Sequence, residues 1–188
     1  MSEPWMNGKE SVTFDRVSTP AQIRRVEALG HVIWHRHYTP LIGSAQVEYM
    51  LDRFQSSVAI EAQIQSGYEY DLIHANSEPV GYFAIELRKH SRNKVEGATE
   101  DGPHLFLSKI YLLENARGKG LGRRCFDFVQ MRAMEGGVSE IRLTVNKENP
   151  SQNTYERWGM VRTGSLVTDI GNGFLMDDWE YRFSIEGR

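Results

Sequence analysis

The chain has 188 residues, 40% of them hydrophobic, 25% charged and 11% aromatic, which suits one globular domain with a sizeable core. Its 22 lysines and arginines against 25 aspartates and glutamates leave a net charge of -3, which argues against a general nucleic-acid binder. One cysteine excludes an internal disulfide framework and suggests a reducing compartment. No apolar run approaches the roughly 20 residues that span a bilayer. The opening "MSEPWMNGKES" has neither the basic flank nor the apolar stretch of a signal peptide. The expected setting is cytoplasmic, with no membrane partner.

In chain order, residues 1–12 read as a flexible tail, and a single domain is expected over 13–188. A short extended piece, "VTFDRVS", comes first. Thr19 and Pro20 then suit the N-cap and first position of a helix whose apolar stripe is Ile23, Val26, Ala28, Leu29, Val32 and Ile33. Gly43 breaks the pattern. Ser44 can cap a second helix carrying Val47, Met50, Leu51 and Phe54, and "SSVAIEAQIQSG" is a third helix or a continuation, closed by Gly67. The period then changes to that of strands. "YEYDLIHA" and "PVGYFAIELR", separated by "NSE", predict an antiparallel hairpin. A long loop is expected over 89–103, followed by the strand "HLFLSKIYLL".

That strand runs into "ENARGKGLGRR", with glycines at 118, 120 and 122. Leu121, Cys125, Val129 and Ala133 lie four apart, as one buried helix face requires, and Gly136-Gly137 ends the helix. A strand "IRLTV", a short helix "PSQNTYERW", and two strands around the turn signal "GNGF" complete the chain. The order is that of a mixed α/β domain in which a glycine stretch joins a central strand to a helix N-terminus. Such a junction offers free backbone N–H groups and a positive dipole end to a phosphate. A P-loop would need Ser or Thr where Gly120 follows Lys119, and the dinucleotide fingerprint GxGxxG would need glycine at Arg123.

The pattern Arg-x-x-Gly-x-Gly, given by Arg117, Gly120 and Gly122, resembles the acetyl-coenzyme A pyrophosphate loop of the GCN5-related N-acetyltransferases. "SKIYLL" is similar to that family's fourth strand and "NPSQNTYERWGM" to its Asn…Tyr-Glu-Lys-x-Gly-Phe segment, with Met160 in place of the phenylalanine. The resemblance implies a mostly antiparallel sheet flanked by helices and splayed at the loop, with acetyl-coenzyme A as co-substrate and no metal. It implies that Arg117, Gly118, Lys119, Gly120, Leu121 and Gly122 hold the diphosphate. Tyr111, Leu112 and Leu113 would pair their backbone with the pantetheine arm, and Asn149 would lie beside it. Tyr155 is implied as the acid that protonates the departing thiolate, a task a phenol can perform.

The same resemblance puts a small primary amine, such as a polyamine or an amino-acid derivative, between the first helices and the last strand pair. Tyr38, Tyr49, Glu48 and Asp178 are the acceptor candidates there. Where polyamine-acetylating members have a glutamate, this chain has Ser108; Glu86, Asp177 and Asp178 are the other carboxylates that can supply a base. His31 and His35, four apart, have metal-pair spacing but read as packing or surface residues, and Cys125 as an inert core thiol. A homodimer is compatible with the sequence. The alternatives are a coenzyme A sensor without catalysis and a module binding another nucleotide.

Overall fold

The computed structural model describes residues 11–89 and 102–185; the expected tail and the 89–103 loop fall almost wholly outside them. Strand β1 (Val12–Arg16) leads to three helices, α1 (Pro20–Ile42), α2 (Ser44–Gln55) and α3 (Ser57–Gln65). Then come β2 (Tyr68–Ala75), β3 (Glu78–Arg88), β4 (His104–Leu112), α4 (Leu121–Glu135), β5 (Glu140–Asn146), α5 (Gln152–Arg157), β6 (Val161–Gly171) and β7 (Phe174–Ser184). The strands form one sheet in the order β1-β2-β3-β4-β5-β7-β6, antiparallel except where β4 meets β5.

Local chemistry accounts for the helix ends. Thr19 caps α1 through a reciprocal box with Gln22, and Pro20 starts it. α1 continues through Pro40 to Ile42. The cost so close to the terminus is one lost hydrogen bond. Gly43, not Ser44, is the N-cap of α2. On α1 the buried face is Ile23, Val26, Leu29, Gly30, Ile33 and Trp34; Ala28 is exposed and Val32 is 60% exposed, because the predicted stripe is wider than the face the sheet covers.

Both faces of the sheet are packed. On one, Cys125, Phe126, Val129 and Ala133 of α4 meet Ile141, Leu143 and Val145 of β5 with Tyr181 and Phe183 of β7. On the other, α1 and α3 cover Tyr70, Leu72, Tyr82 and Ala84, and α2 packs with Trp34 and Ile170.

The sheet opens in its middle. β4 and β5 pair only at Leu105–Ile141 and Phe106–Arg142, then part. β4 is also bulged against β3: Leu107 faces Ile85 and Lys109 faces Ala84, which leaves Ser108 unopposed. At the far end of the opening, Gly81 of β3 lies against the β4 backbone, where an added Cβ would sit 2.2 Å from the Tyr111 carbonyl oxygen and 2.9 Å from Leu112 Cδ2. Gly81→Ala should therefore destabilise the fold by about 2 kcal/mol through overpacking, read as a lower urea midpoint with an unchanged slope. A wild-type midpoint would mean that this strand end has room to move.

Candidate active site

The parting of β4 from β5 leaves one edge of β4 without a strand. The amide of Leu113 donates to Val80 O at 2.9 Å, and Tyr111 stands opposite Tyr82 in the same register. In an antiparallel ladder alternate residues point their backbone groups the other way, so Ile110 and Leu112 address the opening. Arg117 Nε already donates to Leu112 O at 3.0 Å. Ile110 thus has both backbone groups on the free edge of the opening.

A cleft of about 340 Å³ lies along this edge, lined at one end by Gly118, Gly120 and Gly122 and at the other by Tyr38, Tyr111 and Tyr155. Gly118 and Gly120 both have positive φ, 75° and 80°, and Gly120 is the left-handed N-cap of α4. The glycine stretch contributes no capping side chain, so first-turn N–H groups of α4 point into the cleft unclaimed by a cap. Gly122 is needed for closeness: a Cβ there would come 3.1 Å from the Trp158 ring.

A hydrogen-bond chain crosses the cleft from the loop to the aromatic end. Arg117 reaches His37 Nδ1 at 3.4 Å, His37 Nε2 meets Asn149 Oδ1 at 3.2 Å, and Asn149 Nδ2 donates to the Tyr38 hydroxyl at 3.1 Å. Arg117 can only donate, so Nδ1 accepts and Nε2 carries the hydrogen given to Asn149. Burial pushes the His37 pKa down, against the Asn149 bond that raises it, which keeps this neutral form in place. Asn149 Oδ1 also accepts from Ser151 N at 2.9 Å, a local turn that starts α5 and aims Tyr155 inward. Burial raises the Tyr155 phenol well above its ordinary pKa and pushes Tyr38 up to about 12, so both are protonated donors at neutral pH.

A second cavity, of about 100 Å³, adjoins the cleft; Tyr38, Ile110, Tyr111 and Tyr155 line both. Its far wall includes Ser108, Thr144 and Asp178. Of the three carboxylates considered as bases, Glu86 pairs with Arg88 at 2.7 Å and Asp177 with Lys147 at 2.5 Å, both outside the cavity wall. Only Asp178 lines it. Burial raises its carboxyl to about 6, opposed by a Thr144 hydrogen bond.

Other expected site residues fall elsewhere. Tyr49 packs on Phe174 and donates to Ile170 O at 2.5 Å, away from the cavity, and Glu48 lies 3.5 Å from His35. Leu121 is buried at the start of α4, Lys119 is exposed beyond the cleft lining, and Leu113 lies on the outer side of the strand end. Burial raises the Cys125 thiol far above its ordinary pKa, so it is no nucleophile.

A family model described as the acetyltransferase (GNAT) family matches residues 33–160. The chain belongs to that family. No curated protein matches it by sequence. Among solved structures, the PaiA N-acetyltransferase of Thermoplasma acidophilum in complex with coenzyme A is similar, at a TM-score of 0.67 and 14% identity over 93% of this chain and 99% of that one. Naa50 of Arabidopsis thaliana, in complex with the bisubstrate analogue CoA-Ac-MVNAL, has a TM-score of 0.63 at 18% identity over 93% and 99%. A GCN5-related N-acetyltransferase of Rhodopseudomonas palustris reaches 0.70 at 12% identity over 97% and 99%.

The cleft is lined by residues that the sequence did not single out. His37 and Ile110 have no local signature, since their places depend on α1 crossing the opening and on strand register. Ser151, one turn before Tyr155, and Thr154, the residue before it, line the cleft, places that mark them only once α5 is placed. Among the described residues no helix is long and apolar enough to cross a membrane, and no group of three potential ligands is placed to hold a metal.

Proposed function

We propose that this acetyltransferase takes acetyl-coenzyme A in the cleft and a small-molecule primary amine in the adjoining cavity, and joins them by direct attack without an acyl-enzyme. The observation that carries this reading is that cleft and cavity meet at one place, walled by Tyr38, Ile110, Tyr111 and Tyr155. The fit of the co-substrate is supported by the glycine cradle with its uncapped N–H groups, which suits a diphosphate, and by the free edge of Ile110, which suits an amide-bearing arm laid down as an added strand. In this reading Ile110 N–H polarises the thioester carbonyl. Tyr155 gives its proton to the departing sulfur, and Asn149, which lines the cleft beside the arm, holds Tyr38 and the start of α5 in place. A cytoplasmic setting belongs to the same reading, supported by a lone, buried cysteine.

Tyr155→Phe should lower kcat for thiol release by about 100-fold, the usual scale for losing a positioned acid, while coenzyme A affinity by calorimetry stays within about 2-fold. Unchanged kcat would take the acid role from Tyr155. Tight coenzyme A binding by the wild type, with no thiol release across polyamines, amino acids and monoamines, would replace the enzyme reading with a sensor.

A further inference from the structure

Among the described residues Asp178 is a buried carboxylate of the site with no ion-pair partner; a Thr144 hydrogen bond and the more distant Lys147 answer its charge only in part. It is 6% exposed, yet no ion pair among the described residues reaches it. Its neighbour Asp177 takes Lys147 on the opposite face of β7. Lys109 also lines the cavity, but its Nζ is turned under α3, 2.6 Å from Gln63 Oε1 and against the Tyr68 and Tyr70 rings. A carboxylate withdrawn from water without a cation is costly. The missing partner can come from outside, because Asp178 opens onto the cavity.

The rest of that cavity defines what else the cation carries. Trp34, Tyr38 and Tyr111 give aromatic surface, and Ile42, Met50 and Met176 a soft apolar wall. Among the described residues Asp178 is the only carboxylate in the lining, so there is a place for one ammonium and none for a second. The volume of about 100 Å³ is smaller than the roughly 150 Å³ that holds a benzene ring. Short alkyl stems fit it better than rings.

We propose that the acceptor is a primary monoamine on a short apolar stem, and that Asp178 both binds its ammonium and takes its first proton. This rests on the acetyl-transfer reading above. One proton passes from the ammonium nitrogen to the Asp178 carboxylate and on to solvent. The freed lone pair forms the N–C bond to the acetyl carbonyl carbon, and the C–S bond breaks with its electron pair going to sulfur. Tyr155 supplies the proton that completes the thiol and recovers the second proton shed by the nitrogen. The groups facing Asp178 are Thr144 on β5, which donates to it, Asp177 and Lys147 beyond the strand, and Tyr38 on α1; Lys109 on β4 lines the same cavity, with burial pushing its ammonium down to about 7. Burial sets the carboxyl at about 6, so it is ionised and able to accept a proton above that pH.

The test compares the full-length wild type with Asp178→Asn and Asp177→Asn, using isoamylamine, butylamine, spermidine and glycine. Calorimetry of isoamylamine with coenzyme A present reads binding apart from turnover. Asp178→Asn should weaken it by about 10-fold or more, raise KM, and remove the acid limb near pH 6 from the rate profile. Asp177→Asn should stay within about 2-fold in both. Wild-type binding and turnover by Asp178→Asn would overturn the role of Asp178, and better turnover of spermidine or glycine than of the monoamines would overturn the substrate class. If the wild type releases no thiol with any amine, the acetyl-transfer reading fails instead, while the calorimetry still decides whether Asp178 holds an ammonium.

Discussion

Asp178→Asn should be more stable than the wild type at pH 8, by up to about 3 kcal/mol, although it turns over poorly. The folded-state carboxyl titrates at about 6 against an ordinary value of 3.8, chiefly because burial disfavours the charge. A folded pKa above the unfolded one means that the fold prefers the protonated acid. That preference counts in full below about pH 4 and is lost as pH rises through 6, after which the wild type carries the cost of a buried anion. Asparagine keeps the shape and can still accept from Thr144, without the charge. Urea unfolding at pH 4 and pH 8 should therefore give curves that nearly coincide at the lower pH and separate at the higher one. A variant less stable than wild type at pH 8 would show that the fold already supplies Asp178 with a cation, and the case for an external ammonium would fall with it. Active sites often hold a group at some cost to the fold because it serves the reaction.

How much of this was legible in the sequence follows from how local each cause is. The α4 stripe Leu121, Cys125, Val129 and Ala133 is buried as its spacing predicts, because a helix sets its own period. The Thr19 cap and the 76–77 hairpin turn are equally local. The site depends on what is not local. β4 and β5 are parallel neighbours joined through α4, and nothing in "HLFLSKIYLL" or "IRLTV" says that their pairing stops after two residues. The bulge at Ser108, which places this residue in the cavity wall, comes from register with β3. Asp177 and Asp178 are adjacent and chemically identical. Only the pairing of β7 with β5, which sets Asp178 opposite Asn146, decides which of them turns to the cavity and which to Lys147. Tyr49 is a reasonable aromatic for an amine, but the Ile170 carbonyl of β6, just before the hairpin turn, takes its hydroxyl.

Gly120→Val should raise the dissociation constant of coenzyme A by roughly 100-fold or more, with only a modest fall in stability. Gly120 has φ 80° and ψ 1°, where a β-branched residue costs about 1–2 kcal/mol of backbone strain. A Cβ built there meets nothing within 4 Å, so the fold itself does not resist the side chain. The space it enters is the cleft, in front of the first-turn N–H groups of α4. Blocking two charge-assisted hydrogen bonds to a diphosphate, each worth about 1.5–3 kcal/mol, accounts for the loss. Gly137 supplies the control, because it too has positive φ, 70°, and open space at its Cβ, but lies past the other end of α4. Gly137→Val should show the same strain in thermal unfolding and bind coenzyme A like the wild type. Equal weakening in both variants would mean that distortion of α4, not obstruction of its N-terminus, controls binding. Undiminished affinity in Gly120→Val would move the diphosphate away from the glycine stretch.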